Sequence, residues 1–503
     1  MNLIYRSTRN SNMQITASQA ILQGLSPDGG LYVPTTIPQL TKPIKELCRM
    51  NYRELAYEVL KLYLTDYTEE ELKDCINKAY DEKFDTPDIA PLKKEGDYHY
   101  LELFHGATIA FKDMALSILP HLLTTAAKKN NISDEIVILT ATSGDTGKAA
   151  LAGFADVEGT KIIVFYPKDG VSRVQEKQMV TQKGSNTYVI GIRGNFDDAQ
   201  AGVKKIFGDK DLEERMKQAG YRFSSANSIN IGRLVPQIVY YVYSYAELYR
   251  RKEIGEGEEI NFVVPTGNFG NILAAYYAKQ MGLPIGKLIC ASNDNKVLFD
   301  FFQTGVYNRN REFVLTISPS MDILVSSNLE RLIYHIAGDD SNKTMELMEA
   351  LVKKGEYQIT SDMMARLEDF IGGYATIDET QAAIDKVYTE SDYVIDTHTA
   401  VAVSVYNKYL TSSKDPNKAV IVSTASPYKF VESVLEAVGN KAIPEDDYAQ
   451  AKLLRDISKT PIPEAVEEIH SAKVIHDTVC DKDEMKELVE RILKKANYDK
   501  GMT

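Results

Sequence analysis

The chain has 503 residues, of which 44% are hydrophobic and 26% are charged. This composition is typical of a globular protein and excludes a mostly disordered or collagen-like chain. The 58 basic and 71 acidic residues give a net charge of −13. This charge argues against a general nucleic-acid binder. It also means that an anionic ligand needs a local cluster of donors.

The four cysteines are far apart and form no CxxC spacing, which predicts reduced thiols instead of a disulfide framework or a zinc site. The N-terminal residues contain two arginines but no apolar core after them, so they do not resemble a signal peptide. The sequence contains no run of about 18 apolar residues, so we predict no membrane-spanning helix. We therefore expect a cytoplasmic protein of about three domains that binds neither membranes nor nucleic acid and holds no metal ion.

Helical spacing dominates the first 98 residues of the chain. Thr68 and Glu71 are spaced as a capping box, in which two side chains cover backbone groups at the start of a helix. The apolar residues that follow recur at the intervals of a helical turn. We therefore predict a mostly helical N-terminal domain over residues 1–98.

Between residues 99 and 440, short runs of β-branched residues alternate with longer amphipathic stretches. This alternation predicts parallel sheets with helices on both faces, an α/β core in which ligands bind at the carboxyl ends of the strands. Residues 441–503 are charged and helical in pattern, so we predict a C-terminal helical tail docked through one apolar face. The clearest predicted strands are Ile136–Leu139, Lys161–Phe165, Asn261–Val264 and Ala419–Val422.

One lysine lies in an apolar neighbourhood at the start of a predicted helix, in the sequence HGATIAFKD of residues 105–113. Lys112 stands there between Phe111 and Asp113. Desolvation would lower the pKa of this lysine and make its amine nucleophilic, as a covalent bond to a carbonyl compound requires. The alternative is a lysine whose stem covers apolar surface while its charge stays in solvent.

Two glycine-containing loops follow predicted strands. Residues 265–271 read PTGNFGN, and their backbone N–H groups could hold a phosphate at the positive end of the next helix. A tight strand-to-helix turn is the alternative.

Residues 141–148 read ATSGDTGK and superficially match a nucleotide-binding loop. Thr142 replaces the first glycine of that motif and Ala149 replaces its magnesium-binding hydroxyl, so the sequence favours a hydroxyl-rich loop for a carboxylate or phosphate. We expect Lys148 on the solvated surface.

Two further segments place polar side chains where an anion could bind. Asn227, Ser228 and Arg233 combine neutral donors with one guanidinium, which suits a planar or tetrahedral anion. The alternative is a polar loop that caps the following helix. Thr424 follows a predicted strand and could place its hydroxyl in a cleft, although an ordinary turn is the simpler interpretation. His398 is isolated in the sequence, so we expect a structural role for it.

Taken together, these motifs resemble the threonine synthase family, whose members use pyridoxal phosphate and have a tryptophan-synthase-β-like fold. The resemblance covers nearly the whole chain and includes residues 318–332 and 396–402, for which the residues themselves suggest no mechanism. It implies an α/β protein of two parallel-sheet subdomains with an N-terminal helical region and a C-terminal helical tail. The boundaries that we predict are residues 1–98, 99–440 and 441–503.

The resemblance also implies roles for individual residues. Lys112 matches the lysine that bonds covalently to pyridoxal phosphate. An ionised Asp145 would be repelled by the cofactor's phenolate. The residues that match cofactor-binding positions are Gly267, Asn268, Phe269, Gly270 and Asn271 at the phosphate, Thr424 at the pyridine nitrogen and Asp145 near the ring oxygen. The residues that match substrate-binding positions are Thr142, Ser143 and Thr146 near the carboxylate, and Asn227, Ser228 and Arg233 at the phosphate.

The activity that the resemblance implies is conversion of O-phospho-L-homoserine and water into L-threonine and phosphate, by β,γ-elimination and replacement. Lys112 would move the α and β protons, while Arg233 and Asn227 would hold the departing phosphate. Two alternatives stay open: a serine/threonine dehydratase or phospholyase of the same fold, and a catalytically inactive binding module. We expect the small-molecule substrate as the partner, and a monomer or homodimer as the assembly.

Overall fold

The computed structural model describes residues 2–142, 144–171, 173–440 and 442–500, and for Arg173 and residues 497–500 it describes only the backbone. Ser143, one of the predicted substrate-binding residues, lies outside the described residues. Where the structure describes the chain, no helix is long and apolar enough to span a lipid bilayer. The same residues contain no group of three His, Cys, Asp or Glu side chains placed to hold a metal ion.

The N-terminal region combines helices with a small antiparallel sheet in the order β2-β1-β3. The predicted capping box of Thr68 and Glu71 is present at the start of a helix. The sequence pattern did not predict the sheet, because its strands have only three to six residues and one of them is largely polar. The elements are β1 (Tyr5–Ser7), β2 (Asn10–Ile15), α1 (Ala17–Gln23), β3 (Tyr32–Pro34), α2 (Ile44–Leu47), α3 (Tyr52–Tyr63) and α4 (Glu69–Ala79).

Two larger sheets form the centre of the molecule. One has the order β14-β11-β10-β15-β5-β4, and its pairs are parallel except for the hairpin of β4 and β5. The other has the order β16-β8-β7-β6-β9 and is parallel throughout. The strands are β4 (Leu92–Glu95), β5 (Tyr98–Glu102), β6 (Glu135–Ala141), β7 (Thr160–Pro167), β8 (Thr187–Arg193), β9 (Tyr221–Ser224), β10 (Ile260–Pro265), β11 (Ile285–Ser292), the outlying pair β12 (Val306–Asn308) and β13 (Glu356–Gln358), β14 (Phe370–Tyr374), β15 (Lys418–Ser423) and β16 (Val479–Asp481).

These two sheets confirm the predicted α/β class and all four predicted strands, which correspond to β6, β7, β10 and β15. Their β-branched runs are buried on both faces because helices cover each sheet. The helices are α5 (Lys112–Leu116), α6 (Leu119–Lys129), α7 (Asp145–Phe154), α8 (Arg173–Val180), α9 (Phe196–Phe207), α10 (Lys210–Gln218), α11 (Ile231–Arg250), α12 (Gly270–Gln280), α13 (Val297–Thr304), α14 (Leu329–Ile336), α15 (Ser341–Lys354), α16 (Ser361–Ala365), α17 (Ile377–Ser391), α18 (Thr397–Ser413), α19 (Val431–Ala437), α20 (Asp447–Ser458), α21 (Glu464–Ser471) and α22 (Met485–Lys500).

The C-terminal tail docks on the five-stranded sheet, as predicted. Met485, Leu488, Val489 and Leu493 of α22 are buried in the cluster that includes strands β6 to β8. The tail also contributes β16 to that sheet, although a three-residue strand has no periodicity for a sequence pattern to reveal. The domain boundaries at residues 98 and 440 stay predictions, and β4, which lies before residue 98, pairs with the six-stranded sheet.

Candidate active site

Lys112 is the first residue of α5 and follows a loop that is attached to the end of β15. The backbone N–H of Phe111 donates to the carbonyl oxygen of Thr424 at 2.8 Å. Within the loop, the buried carboxylate of Asp113 accepts from the N–H and the hydroxyl of Thr108 at 2.8 and 2.6 Å. These contacts fix the backbone that carries Lys112 and place Thr424 next to it.

The amine of Lys112 lies in a largely dry environment, with only 12% of the side chain exposed. Its Nζ donates to Oγ of Ser320 at 3.4 Å and lies 3.7 Å from Oδ2 of Asp145. Burial lowers the pKa of Lys112; Asp145 opposes this change, while Lys429 and Arg233 add to it. This geometry does not fit the alternative in which the lysine holds its charge in solvent.

Asp145 begins α7 and is the centre of a polar cluster. Its carboxylate forms an ion pair with Nζ of Lys429 at 3.2 Å and accepts from Oγ of Ser320 at 3.0 Å and from Nε2 of Gln175 at 3.1 Å. Burial raises the pKa of Asp145, but Lys429 and Lys112 outweigh it, so the pKa lies below its ordinary value. The carboxylate is therefore ionised and is neutralised by its neighbours.

In the loop after β6, one of the predicted substrate-binding residues stabilises the conformation of the loop itself. Oγ1 of Thr142, a buried side chain, accepts from the N–H groups of Gly144 and Gly147 at 3.0 and 2.9 Å. Thr146 is half-buried in the first turn of α7. The prediction that Lys148 is a solvated surface residue is wrong: its Nζ donates to Oε1 of Gln182 at 2.6 Å, and burial lowers its pKa to about 8.

The glycine loop after β10 lies against Ser320. An added Cβ at Gly267 would lie 2.6 Å from the carbonyl oxygen of Ser320, so only glycine fits there without movement of the backbone. An added Cβ at Gly270 would make ordinary contacts of 3.4 Å or more. Phe269 has a left-handed conformation with φ of 65°, and α12 begins after it without a capping side chain. The first turn of α12 is therefore free to receive an anion.

The side chains of the glycine loop have different environments. The ring of Phe269 is buried in the core, so only its backbone can contribute to a binding site. Oδ1 of Asn271 accepts from the hydroxyls of Tyr240 and Tyr241, each at 2.6 Å. Nδ2 of Asn271 is buried and has no hydrogen-bond partner in the described part of the chain. The carbonyl oxygen of Asn268 accepts from Nδ2 of Asn328 at 3.0 Å.

Arg233 is a buried cation near the start of α11, with 4% of the residue exposed. Its Nη1 donates to the carbonyl oxygen of Ala226 at 3.0 Å, whereas its Nε is buried without a partner among the described residues. Burial lowers the pKa of Arg233 to about 10. Asn227 is exposed, and its Oδ1 accepts from the N–H of Ser228 at 2.6 Å. Asn230 caps α11, so the helix does not need Asn227 or Ser228 for that purpose.

Three residues of this cluster were not predicted as site residues from the sequence. Lys429 and Ser320 contact Asp145 directly. His398 is buried, and its Nε2 accepts from the N–H of Ser320 at 3.2 Å while its Nδ1 lies 2.8 Å from Asp396. The expected structural role of His398 thus includes holding Ser320 in position. The resemblance to a family over residues 318–332 and 396–402 was the only signal for Ser320 and His398, and Lys429 lies outside both segments.

The structure therefore brings Lys112, Asp145 and Gly267 together around Ser320, and Arg233 is near enough to affect the pKa of Lys112. No contact between Lys112 and Asn227 or Ser228 is present among the described residues. A cavity of about 810 Å³ adjoins the cluster. Its lining includes Gln175, Pro319 and Lys429 on the side of the cluster, and Tyr448 and His470 from the C-terminal helices.

Comparison with known proteins gave matches along most of the chain. Family models described as threonine synthase N terminus, pyridoxal-phosphate dependent enzyme, and threonine synthase, C-terminal, match residues 4–80, 93–426 and 399–489. Threonine synthase of Saccharomyces cerevisiae is 36% identical over 86% of this chain and 89% of its own length. Threonine synthase-like 1 of Homo sapiens is 39% identical over 88% of this chain, which spans only 61% of that protein's length.

Two solved structures resemble this one over nearly the entire length of both chains. The pyridoxal-phosphate-bound threonine synthase from Brucella melitensis superposes with a TM-score of 0.85 at 33% identity, covering 98% of this chain and 99% of that chain. The yeast threonine synthase superposes with a TM-score of 0.88 at 32% identity and the same coverage.

Proposed function

The chain belongs to the threonine synthase family of pyridoxal-phosphate-dependent enzymes, and on that premise we propose that it converts O-phospho-L-homoserine and water into L-threonine and phosphate. One observation supports this proposal above all others. Lys112 is a desolvated lysine, and Arg233, a buried cation whose Nε lacks a partner within the described residues, is near enough to lower its pKa further. A nucleophilic amine and a separate anion site are what this substrate requires.

The residues of the site fit pyridoxal phosphate. Lys112 would bond to the aldehyde carbon, and Thr424 would face the ring nitrogen. Gly267 to Asn271 would hold the phosphate at the uncapped start of α12, where the buried Nδ2 of Asn271 is without a partner in the described chain. When bound, the cofactor ring accepts the electron pair that is left at the substrate's α carbon.

Lys112 would move protons when the substrate occupies the site. Burial lowers the pKa of Lys112, and in its neutral form the amine would accept the α proton of the substrate at Nζ. The ammonium group that results lies 3.7 Å from the carboxylate of Asp145 and within reach of the Ser320 hydroxyl, so the cluster stabilises it. Nζ would accept the β proton only after it has passed the α proton on, and the bound cofactor would supply the acceptor for that proton.

Arg233 would bind the phosphate that leaves the γ carbon. A buried guanidinium with one carbonyl partner among the described residues would gain more from a phosphate than an exposed arginine would, because the local dielectric constant is low. Asn227 and Ser228, at the exposed end of the same loop, would add neutral donors. Thr142, Ser143 and Thr146 would face the substrate's carboxylate.

The ion pair of Asp145 with Lys429 would reduce the expected repulsion between Asp145 and the phenolate of the cofactor, because Lys429 offsets the negative charge that the phenolate would face. Asp145 would therefore act mainly through its hydrogen bonds with Ser320 and Gln175, which hold the loop in position.

A product assay distinguishes this function from its alternatives. The purified protein, loaded with pyridoxal phosphate, should convert O-phosphohomoserine into threonine and phosphate. Formation of a 2-oxoacid instead would indicate a dehydratase or phospholyase. Absence of a cofactor absorbance band, or a band that is unchanged in Lys112→Ala, would indicate a catalytically inactive binding module.

We also propose a cytoplasmic location, because the cysteines are free thiols and three of them are buried. We propose a monomer or homodimer that binds its small-molecule substrate and no nucleic acid, as the net charge of −13 suggests. Cell fractionation tests the location, and light scattering at several protein concentrations tests the assembly.

A further inference from the structure

Arg331 is the largest fully buried side chain of the described residues, with no exposed surface. It lies in the first turn of α14, in the segment 318–332 for which the sequence suggested no mechanism. No carboxylate forms an ion pair with it within the described part of the chain. A charge without a paired carboxylate is costly to bury, so its contacts are expected to serve a specific purpose.

The guanidinium of Arg331 donates to three separate segments. Nε donates to the carbonyl oxygen of Tyr32 in β3 at 2.9 Å. Nη2 donates to the carbonyl oxygen of Ile229 at 2.6 Å, in the loop that carries Asn227 and Ser228. Nη1 donates to Oδ1 of Asn328. A planar fork with five N–H donors can satisfy three such acceptors at once, whereas a lysine ammonium cannot reproduce the geometry.

Asn328 extends this contact to the glycine loop. Both its backbone N–H and its Nδ2 donate to the carbonyl oxygen of Asn268, at 3.1 and 3.0 Å. Because the Oδ1 of the same side chain accepts from Arg331, the chain of hydrogen bonds runs from the loop at Ile229 through Arg331 and Asn328 to Asn268. Each step is a direct contact between buried or half-buried groups.

The neighbouring Glu330 attaches the same helix to the N-terminal sheet. Its carboxylate accepts from the hydroxyl of Thr8 at 2.5 Å and from two nitrogens of Arg9 at 2.9 and 2.7 Å. The start of α14 is therefore held on one side by β3 and the turn after β1, and on the other side by two loops of the candidate active site.

We propose that Arg331 is a positioning residue that sets the separation between the loop for the cofactor phosphate, residues 265–271, and the loop for the substrate phosphate, residues 227–233. This inference rests on the proposed function, which assigns one phosphate to each loop. In the proposed function the reacting carbons would lie between the two phosphates, so a displacement of one loop by about 1 Å would reduce turnover by about a hundredfold even though Arg331 would touch neither ligand.

The test compares Arg331→Lys with Arg366→Lys. Arg366 is a matched control, because its Nη1 donates to the carbonyl oxygen of Ile336 in α14 at 3.0 Å but contacts neither loop. The measurements are the Kd of cofactor-free protein for pyridoxal phosphate, the KM for O-phosphohomoserine, the inhibition constant of inorganic phosphate, the kcat for threonine formation and the Tm. We expect Arg331→Lys to raise the first three constants by about tenfold each, as expected for the loss of one charge-assisted hydrogen bond at a shared support, and Arg366→Lys to leave them unchanged.

Variants of a single loop show whether the effect is shared. Asn227→Ala should raise the KM and leave the Kd for pyridoxal phosphate unchanged. Gly267→Ala should raise the Kd for pyridoxal phosphate more than it raises the KM. Asn328→Ala breaks only the branch to the glycine loop, so it should raise the Kd more than the KM. If Arg331→Lys does not fold, Asn328→Ala decides the question.

A lower Tm of Arg331→Lys with all binding constants within twofold of the wild type would overturn the proposal, because Arg331 would then only stabilise the fold. A change confined to one of the two phosphates would overturn it as well. Failure of the proposed function appears separately, as wild-type protein that binds pyridoxal phosphate but forms no threonine. In that case the Kd for pyridoxal phosphate and the Kd for inorganic phosphate still test the link between the loops, and a rise of both in Arg331→Lys supports it.

Discussion

Removal of the Lys429 charge should destabilise the protein far more than removal of a surface lysine. The side chain of Lys429 is 3% exposed, and its Nζ lies 3.2 Å from Oδ1 of Asp145. In the variant Lys429→Met, the carboxylate of Asp145 stays buried but loses one of the positive charges next to it. Removal of one partner from a buried ion pair costs about 3–5 kcal/mol of unfolding free energy. Because three other side chains still contact Asp145, we expect the lower end of this range, about 3 kcal/mol.

Urea unfolding of the cofactor-free protein at neutral pH measures this change directly. The matched control is Lys418→Met, since Lys418 pairs with Glu258 at 3.3 Å but both side chains are at least 40% exposed. An exposed pair contributes about 0–1 kcal/mol, so the control should change little. The double variant Asp145→Asn with Lys429→Met removes both charges and should recover most of the loss. The reasoning fails if Lys429→Met costs no more than Lys418→Met, or if Asp145→Asn recovers nothing.

The pH dependence of the same difference gives an independent check. Burial raises the pKa of Asp145, but Lys429 and Lys112 outweigh it, and the pKa in the folded protein is lowered from 3.8. A carboxyl group whose folded pKa is depressed stabilises the fold above its unfolded pKa, and this contribution disappears as the pH falls through the folded pKa. The difference between wild type and Lys429→Met should therefore be constant above about pH 5 and should shrink below about pH 4.

Three further predictions concern binding and turnover. Lys112→Ala should keep the fold but abolish threonine formation, and borohydride should no longer attach the cofactor to the chain; threonine formation by this variant would disprove the role of Lys112. Arg233→Ala should lower kcat/KM for O-phosphohomoserine by a factor that corresponds to about 2–5 kcal/mol of transition-state stabilisation, and it should leave cofactor binding unchanged. An unaltered kcat/KM would show that Arg233 does not bind the phosphate. Gly267→Val should weaken binding of pyridoxal phosphate more than Gly270→Ala does, because a Cβ fits at residue 270 but collides with Ser320 at residue 267; equal dissociation constants would contradict this packing argument.

The parts of the fold that the sequence predicts are those with a repeated local pattern. β6, β7, β10 and β15 are β-branched runs buried on both faces, and such runs have few other interpretations. The strands β1 and β16 have three residues each, and only their partners far along the chain make them strands. A pattern that needs several periods cannot detect them.

The same distinction applies to the candidate site. Lys112 and the glycine loop are recognisable because their chemistry lies within a few consecutive residues. Ser320, by contrast, is 208 residues from Lys112 and reaches it only through the tertiary fold. The error about Lys148 has a related cause, since its immediate neighbours do not reveal that Gln182 will cover it.

The charge balance of the site explains how a chain with a net charge of −13 can capture anionic ligands. Lys429 and Arg233 both have buried side chains, and Asp145 pairs with Lys429 but not with Arg233. Arg233 has no paired carboxylate within the described residues, so a local positive excess persists inside an acidic protein. Because that excess is desolvated, it attracts a phosphate strongly over a short range, while the acidic surface contributes little beyond a Debye length of about 8 Å. A buried cation without a paired carboxylate destabilises the fold, and a phosphate bound by Arg233 would offset that cost, so ligand binding and stability of the fold would be linked at this position.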